Sequence, residues 1–176
     1  MKKIEMLKDV LIDIGKIESY FGNTVPIDLW RAKKVKDPKG LFDLVEEEII
    51  RPRGAPRKPD ITIEGDWVRV RDRPRGISTF NKPNTFKGKW EYFKIPAGTK
   101  LPETLVTIRD ERNKASGATR YTIVPARLVI VEDHYNERFG ATHYTIAPER
   151  DMPLVTFREL LKQLIDLVEK EAVSGN

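Results

Sequence analysis

The sequence predicts an α+β fold, helices packed against a largely antiparallel sheet. Apolar residues recur at helical spacing near both ends, and the middle is a series of short β-type runs punctuated by Gly and Pro. Two consecutive 23-residue units, 105–127 and 128–150, each read as a β-hairpin. With 176 residues the chain is expected to form a single domain, 1–176, large enough to bury a core without a metal or disulfide. It contains no cysteine, which excludes disulfide frameworks and thiolate zinc sites. The net charge of +5 suits an anionic ligand or partner.

In chain order, Ile4, Leu7, Leu11, Ile14, Ile17 and Phe21 predict an amphipathic N-terminal helix over 1–21, ended by Gly22-Asn23. Residues 25–35 read as a strand with Ile27, Leu29 and Arg31 on one face and Trp30 on the other. Asp37-Pro38 is a helix-start signal, and a helix to Ile50 would bury Leu41, Leu44, Val45 and Ile49. Three prolines and a glycine make 51–59 a loop, and the window 51–75 holds eight basic residues against four acids. Strands follow at Ile61-Thr62-Ile63, 67–71, 76–80 and 90–95, with a turn at Pro96-Ala97-Gly98-Thr99. Leu154, Phe157, Leu160, Leu161, Leu164, Ile165 and Val168 mark a last helix. Thr156 and Glu159 are spaced as a capping box.

The two units, LVTIRDERNKASGATRYTIVPAR and LVIVEDHYNERFGATHYTIAPER, share 12 of 23 positions. In each, a strand enters a loop containing Asn and Gly, and a second strand runs to a proline stop. Period-2 alternation puts Thr119, Tyr121 and Ile123, like Thr142, Tyr144 and Ile146, on a shared face read as core. The opposite face differs: Arg120 in the first unit, His143 in the second. His143 reads either as a strand histidine bonded to a neighbour or as a functional group. Two histidines nine residues apart give no expectation of a metal site. No Walker loop, Gly-x-Gly-x-x-Gly, nucleophile elbow or His-Glu-x-x-His occurs.

Leu29-Trp30-Arg31-Ala32, Gly76-Ile77-Ser78-Thr79-Phe80, Ile95-Pro96-Ala97-Gly98-Thr99 and the run DHYNERFGATHYTIAP at 133–148 together resemble one family. These are the ADP-ribosyltransferase-fold toxin effectors of bacterial type VI secretion, and the likeness extends over residues 29–168. It implies an ADP-ribosyltransferase-like split, strongly bent antiparallel sheet over 22–168, with NAD bound as substrate in the cleft and no metal. Arg31 matches the nucleotide-contacting position of the first strand, and Ser78-Thr79 match the element that shapes the nicotinamide pocket. His143 matches the family's Thr-His-Tyr-Thr motif, with Glu149 a nearby carboxylate. Phe80, Tyr144 and Thr145 join Arg31 as expected NAD contacts. The family carries one such hairpin, so 105–127 reads as an in-line duplication of 128–150.

The resemblance further implies cleavage of the nicotinamide–ribose bond, for ADP-ribosyl transfer or NAD hydrolysis, in an antibacterial toxin. Such a toxin needs a cognate immunity protein, expected to be acidic against a +5 chain. The acceptor stays open among protein side chains, RNA, DNA and water. No apolar run approaches the roughly 20 residues of a membrane span, and Met1-Lys2-Lys3-Ile4-Glu5 is too charged for a signal-peptide core. The protein is therefore expected to reside in the producer's cytoplasm and to reach the target cytoplasm by another route. Two other readings compete. One is a basic nucleic-acid-binding domain using 51–75 with Trp67 and Trp90; the other is a relative whose extra hairpin has abolished the chemistry.

Overall fold

The computed structural model of the protein describes residues 4–37, 40–48, 50, 52–71, 73–110 and 120–170. In chain order they form α1 (Leu7–Asp13), β1 (Tyr20–Phe21), β2 (Leu29–Lys34), β3 (Thr62–Glu64), β4 (Trp67–Arg69), β5 (Ile77–Phe80) and β6 (Trp90–Ile95). Then come β7 (Glu103–Asp110), β8 (Arg120–Asn136), β9 (Ala141–Pro148), β10 (Met152–Pro153), α2 (Leu154–Ile165) and β11 (Glu169–Lys170). Every pairing is antiparallel. The large sheet runs β1-β8-β9-β5-β2-β6-β11, with β7 also on β8, and a small sheet runs β10-β4-β3. The predicted α+β architecture with an antiparallel sheet is what these residues form.

Alternation along β5 and β9 divides the large sheet into two faces. Ile77, Tyr144 and Ile146 belong to the main core, which α2 joins through Phe157, Leu160, Leu161 and Leu164. Val129, Val131 and Ala147 face the other way and are covered by Leu7 and Leu11 of α1. That second face continues past α1 into the polar and aromatic residues described below.

Four expectations are corrected. The N-terminal helix is only Leu7–Asp13: Gly15 breaks it at a positive φ of 74°, and Phe21 pairs with Ile130 in β1. The helix from Asp37 to Ile50 is instead a 3₁₀ turn at Asp43–Glu46, with Pro38, Lys39 and Ile49 outside the described residues. Gly40 N–H donates to the Asp43 carboxylate at 2.6 Å, a local bond that competes with a helical ladder, while Leu41, Phe42 and Val45 still reach the core. The capping box at Thr156 is not used. Helix α2 begins at Leu154, whose N–H is taken by the Asp66 carbonyl at 2.7 Å, and it ends at Ile165, short of Val168.

The fourth correction concerns the repeat. Both hairpins form, but β8 serves as the second strand of one and the first strand of the next, so Pro125 does not stop it. The registers repeat: Leu105 opposes Pro125 as Leu128 opposes Pro148, and Val106 opposes Val124 as Val129 opposes Ala147. Burial does not repeat. Tyr144 and Ile146 lie in the core as expected, whereas Tyr121 is 63% and Ile123 68% exposed. Among the described residues no layer packs on their face, and Val106, Ile108 and Ala126 carry the first hairpin's burial from the other side. Asn113, Gly117 and Thr119 lie outside the described residues.

Candidate active site at the split between β2 and β5

Strands β2 and β6 pair over six residues, but β2 meets β5 only at Trp30 opposite Phe80. Beyond that bridge the strands part, and a cavity of about 750 Å³ opens there. Arg31, Ser78, Phe80, Phe86 and Trp90 are among the residues that line it. Its size lies in the range of small-molecule sites, roughly 300–1,000 Å³.

Arg31 is 8% exposed, its Nε 3.4 Å from the Leu41 carbonyl and its Nη1 3.1 Å from the Ser78 carbonyl. Burial pushes its guanidinium below the ordinary value, while Asp60 opposes and Arg57 adds to that shift. Among the described residues it forms no ion pair with a carboxylate, so the buried positive charge at the cavity wall is met at contact by two carbonyl dipoles and at longer range by Asp60.

Strand β5 is held close to β9 by Gly76, where a Cβ would stand 1.9 Å from the Ile146 carbonyl oxygen. The pairing continues at Asn81, whose N–H donates to the Thr142 carbonyl (3.1 Å) and whose Oδ1 accepts the Thr142 N–H (2.8 Å). This register faces Ser78 toward His143, with Oγ 2.5 Å from Nε2. On the other side of the ring, Nδ1 is 2.7 Å from Asp133 Oδ2, the same oxygen to which Thr145 Oγ1 donates. A β-bulge between Glu132 and His134 leaves two residues opposite one: Asp133 bonds the His143 ring and His134 stacks on it, centroids 5.6 Å apart. Phe80 meets the ring edge-to-face at 5.1 Å and also packs on Phe86 and Phe139, and Phe86 stacks on Trp90 at 4.8 Å.

The expected site residues thus separate. Arg31, Ser78, Phe80 and His143 come together. Thr79 does not join them: it is fully buried on the core side, and its hydroxyl donates to the Tyr144 carbonyl at 2.8 Å. The Tyr144 ring is packed in the main core, and Thr145 spends its hydroxyl on Asp133. Glu149 lies six residues past His143, about 20 Å along an extended chain, and pairs with Arg127 at 2.9 Å. Burial raises the pKa of the Glu149 carboxyl, with Arg127 opposing.

Two residues that the sequence reading did not select stand here. One is Asp133. Had the first hairpin's register been carried over, with Asp110 opposite Arg120, Asp133 would have appeared opposite His143. The other is Asp60, whose Oδ1 accepts from Arg57 at 2.7 Å while its buried Oδ2 has no hydrogen-bond partner among the described residues. Burial raises its pKa, opposed by Arg57, Arg31 and His143. No sequence motif marks it. The basic window 51–75 is partly neutralised within the fold: Arg57 pairs with Asp60, Arg69 with Asp151, and Arg71 with Glu64 and Glu5. Arg51 lies outside the described residues.

The antiparallel sheet is thus split at one bridge, with a buried arginine and a serine–histidine pair at the split. The sequence profile described as Tse2 ADP-ribosyltransferase toxin matches residues 11–127 and 122–173, and the chain belongs to that family. A comparison with curated proteins found no match. No helix among the described residues is long and apolar enough to cross a membrane.

Proposed function

We propose that this protein is an antibacterial toxin that takes NAD⁺ as substrate and cleaves its nicotinamide–ribose bond, transferring ADP-ribose to an acceptor or to water. The observation that carries the reading is a chain of contacts at the cavity: Arg31 and Ser78 line it, and His143 stands behind Ser78 within hydrogen-bond distance of its hydroxyl. Bond cleavage develops positive charge on the ribose, so the protein's work is to orient NAD⁺ and to stabilise that charge. The Arg31 charge attracts the pyrophosphate. Phe80, Phe86 and Trp90 supply the apolar wall for flat rings. Ser78 and His143 form the polar pair at the reacting centre, and Glu149, Thr79 and Tyr144 act through the scaffold.

Membership of a toxin family supports delivery by type VI secretion, residence in the producer's cytoplasm and action in the target's. It also supports a cognate immunity protein, which the +5 charge makes acidic. Residues 105–127 are an in-line duplication of 128–150, supported by 12 shared positions of 23 and by the repeated register. No described residue of the first hairpin lines the cavity, which supports a site left in place by the duplication.

The test is incubation of purified protein with NAD⁺, with nicotinamide release followed for the wild type, Arg31→Ala and Ser78→Ala. Release by the wild type and its loss in both variants is expected. A wild type that neither consumes NAD⁺ nor modifies any component of a bacterial lysate refutes the reading.

A further inference from the structure

We infer that Asp133 is a positioning residue: it holds His143 as the Nδ1–H tautomer, so that Nε2 accepts a proton from Ser78 and Ser78 Oγ can deprotonate an acceptor hydroxyl or water. The inference rests on the NAD⁺ reading for the identity of the reaction, and on the distances alone for the relay.

An ionised carboxylate can only accept hydrogen bonds. Asp133 Oδ2, 2.7 Å from Nδ1, therefore requires a proton on that nitrogen, which leaves Nε2 as the acceptor 2.5 Å from Ser78 Oγ. The Thr145 hydroxyl donates to the same oxygen and fixes the carboxylate, while Phe80 and His134 pack on the ring and restrict its rotation. Serine, base and orienting carboxylate in this sequence are the arrangement that activates a hydroxyl. Nicotinamide leaves as a neutral group and needs no acid, so the proton to be managed belongs to the acceptor. The acceptor O–H passes its proton to Ser78 Oγ as the Ser78 proton moves to Nε2. The acceptor oxygen bonds to the ribose C1′, and the C1′–N bond breaks with its electron pair going to nicotinamide. His143, now an imidazolium facing Asp133, returns its proton to solvent. The acceptor class this favours is a hydroxyl or water, poor nucleophiles until they lose a proton.

The other titratable groups near His143 are His134 on the same strand as Asp133 and Asp60 on the loop before β3. The experiment uses ¹⁵N-labelled wild type and Asp133→Asn, with long-range ¹H–¹⁵N spectra to read the histidine tautomers. The chain has two histidines, and His134→Gln assigns them. Nicotinamide release is measured on the same samples across pH. Expected are Nδ1–H in the wild type, a shift toward Nε2–H in the variant, and release lowered about 100-fold or more. The KM for NAD⁺ should stay within about twofold, so that the loss falls on kcat. A wild type holding Nε2–H overturns the relay, as does an Asp133→Asn enzyme of undiminished rate. If the wild type releases no nicotinamide, the NAD⁺ reading fails and the wild-type tautomer alone decides the relay; it also decides if the variant does not fold.

Discussion

Arg31 bonds two carbonyls and forms no ion pair among the described residues, an expensive placement for a cation unless an anion visits. A lysine keeps the charge but cannot span both carbonyls with a planar fork. Arg31→Lys is thus expected to raise the KM for NAD⁺ about tenfold, corresponding to ~1.4 kcal/mol of binding, in steady-state nicotinamide release. An unchanged KM would make the arginine purely structural. Ser78 and Thr79 are neighbours with opposite tasks, because alternation turns one to the cavity and the other to the core. Thr79→Val should cost about 1 kcal/mol of stability by urea denaturation, the worth of its bond to the Tyr144 carbonyl. It should leave a large part of the turnover that Ser78→Ala abolishes; equal loss in both would contradict the face assignment. Asp60 gives a pH signature. Its folded pKa is raised by burial, so the stability it contributes is full below the ordinary aspartate value of 3.8 and is lost as pH rises through the raised value. Asp60→Asn cannot ionise, so its stability relative to the wild type should improve with rising pH across that window; a pH-independent difference would exclude the linkage.

At the scale of elements, the site depends on how closely β5 lies against β9. Gly76 permits that approach: a methyl group there would meet the Ile146 carbonyl oxygen at 1.9 Å and its carbon at 2.8 Å, both backbone atoms that cannot turn aside. Gly76→Ala must push the strands apart, with the Ser78–His143 bond two residues along the same ladder. A loss of about 3 kcal/mol is expected in denaturant melts, together with loss of turnover in whatever fraction remains folded. The sequence marked this strand by its leading glycine, while the reason for the glycine lies in a neighbour 70 positions away. The same limit explains the helices. Leu41 and Val45 carry helical spacing into a 3₁₀ turn because their burial is decided by the core they meet. The start of α2 is set by the Asp66 carbonyl, which no local capping pattern reveals.

At the scale of the whole molecule, local periodicity and turn residues made the antiparallel sheet and its terminal helices legible. The family motifs picked out Arg31, Ser78, Phe80 and His143, which the fold brings near one another. What stayed hidden was made by tertiary packing: Asp60 near Arg31 and His143, Asp133 beneath His143, and the exposed outer face of the first hairpin. That hairpin invites a decisive excision. It leaves and re-enters the fold at adjacent points, since Glu103 opposes Arg127 and Leu128 N–H donates to the Pro102 carbonyl at 3.0 Å. Its deeper contribution is Val106, Ile108 and Ala126 in the main core with Val124 packed against it, whose loss costs about 6 kcal/mol at roughly 2 kcal/mol per buried valine or isoleucine and less for the other two. A domain in the middle or upper part of the typical range, about 5–15 kcal/mol, survives that. Joining Thr104 to Leu128 through a short glycine turn removes residues 105–127 and leaves every described residue that lines the cavity. The shortened protein is expected to melt earlier yet to release nicotinamide at a rate within a fewfold of the full chain. If it folds, as judged by a cooperative melt, and has lost turnover while Ser78 and His143 remain, the first hairpin takes part in the reaction, and its exposed Tyr121 and Ile123 become the residues to substitute next.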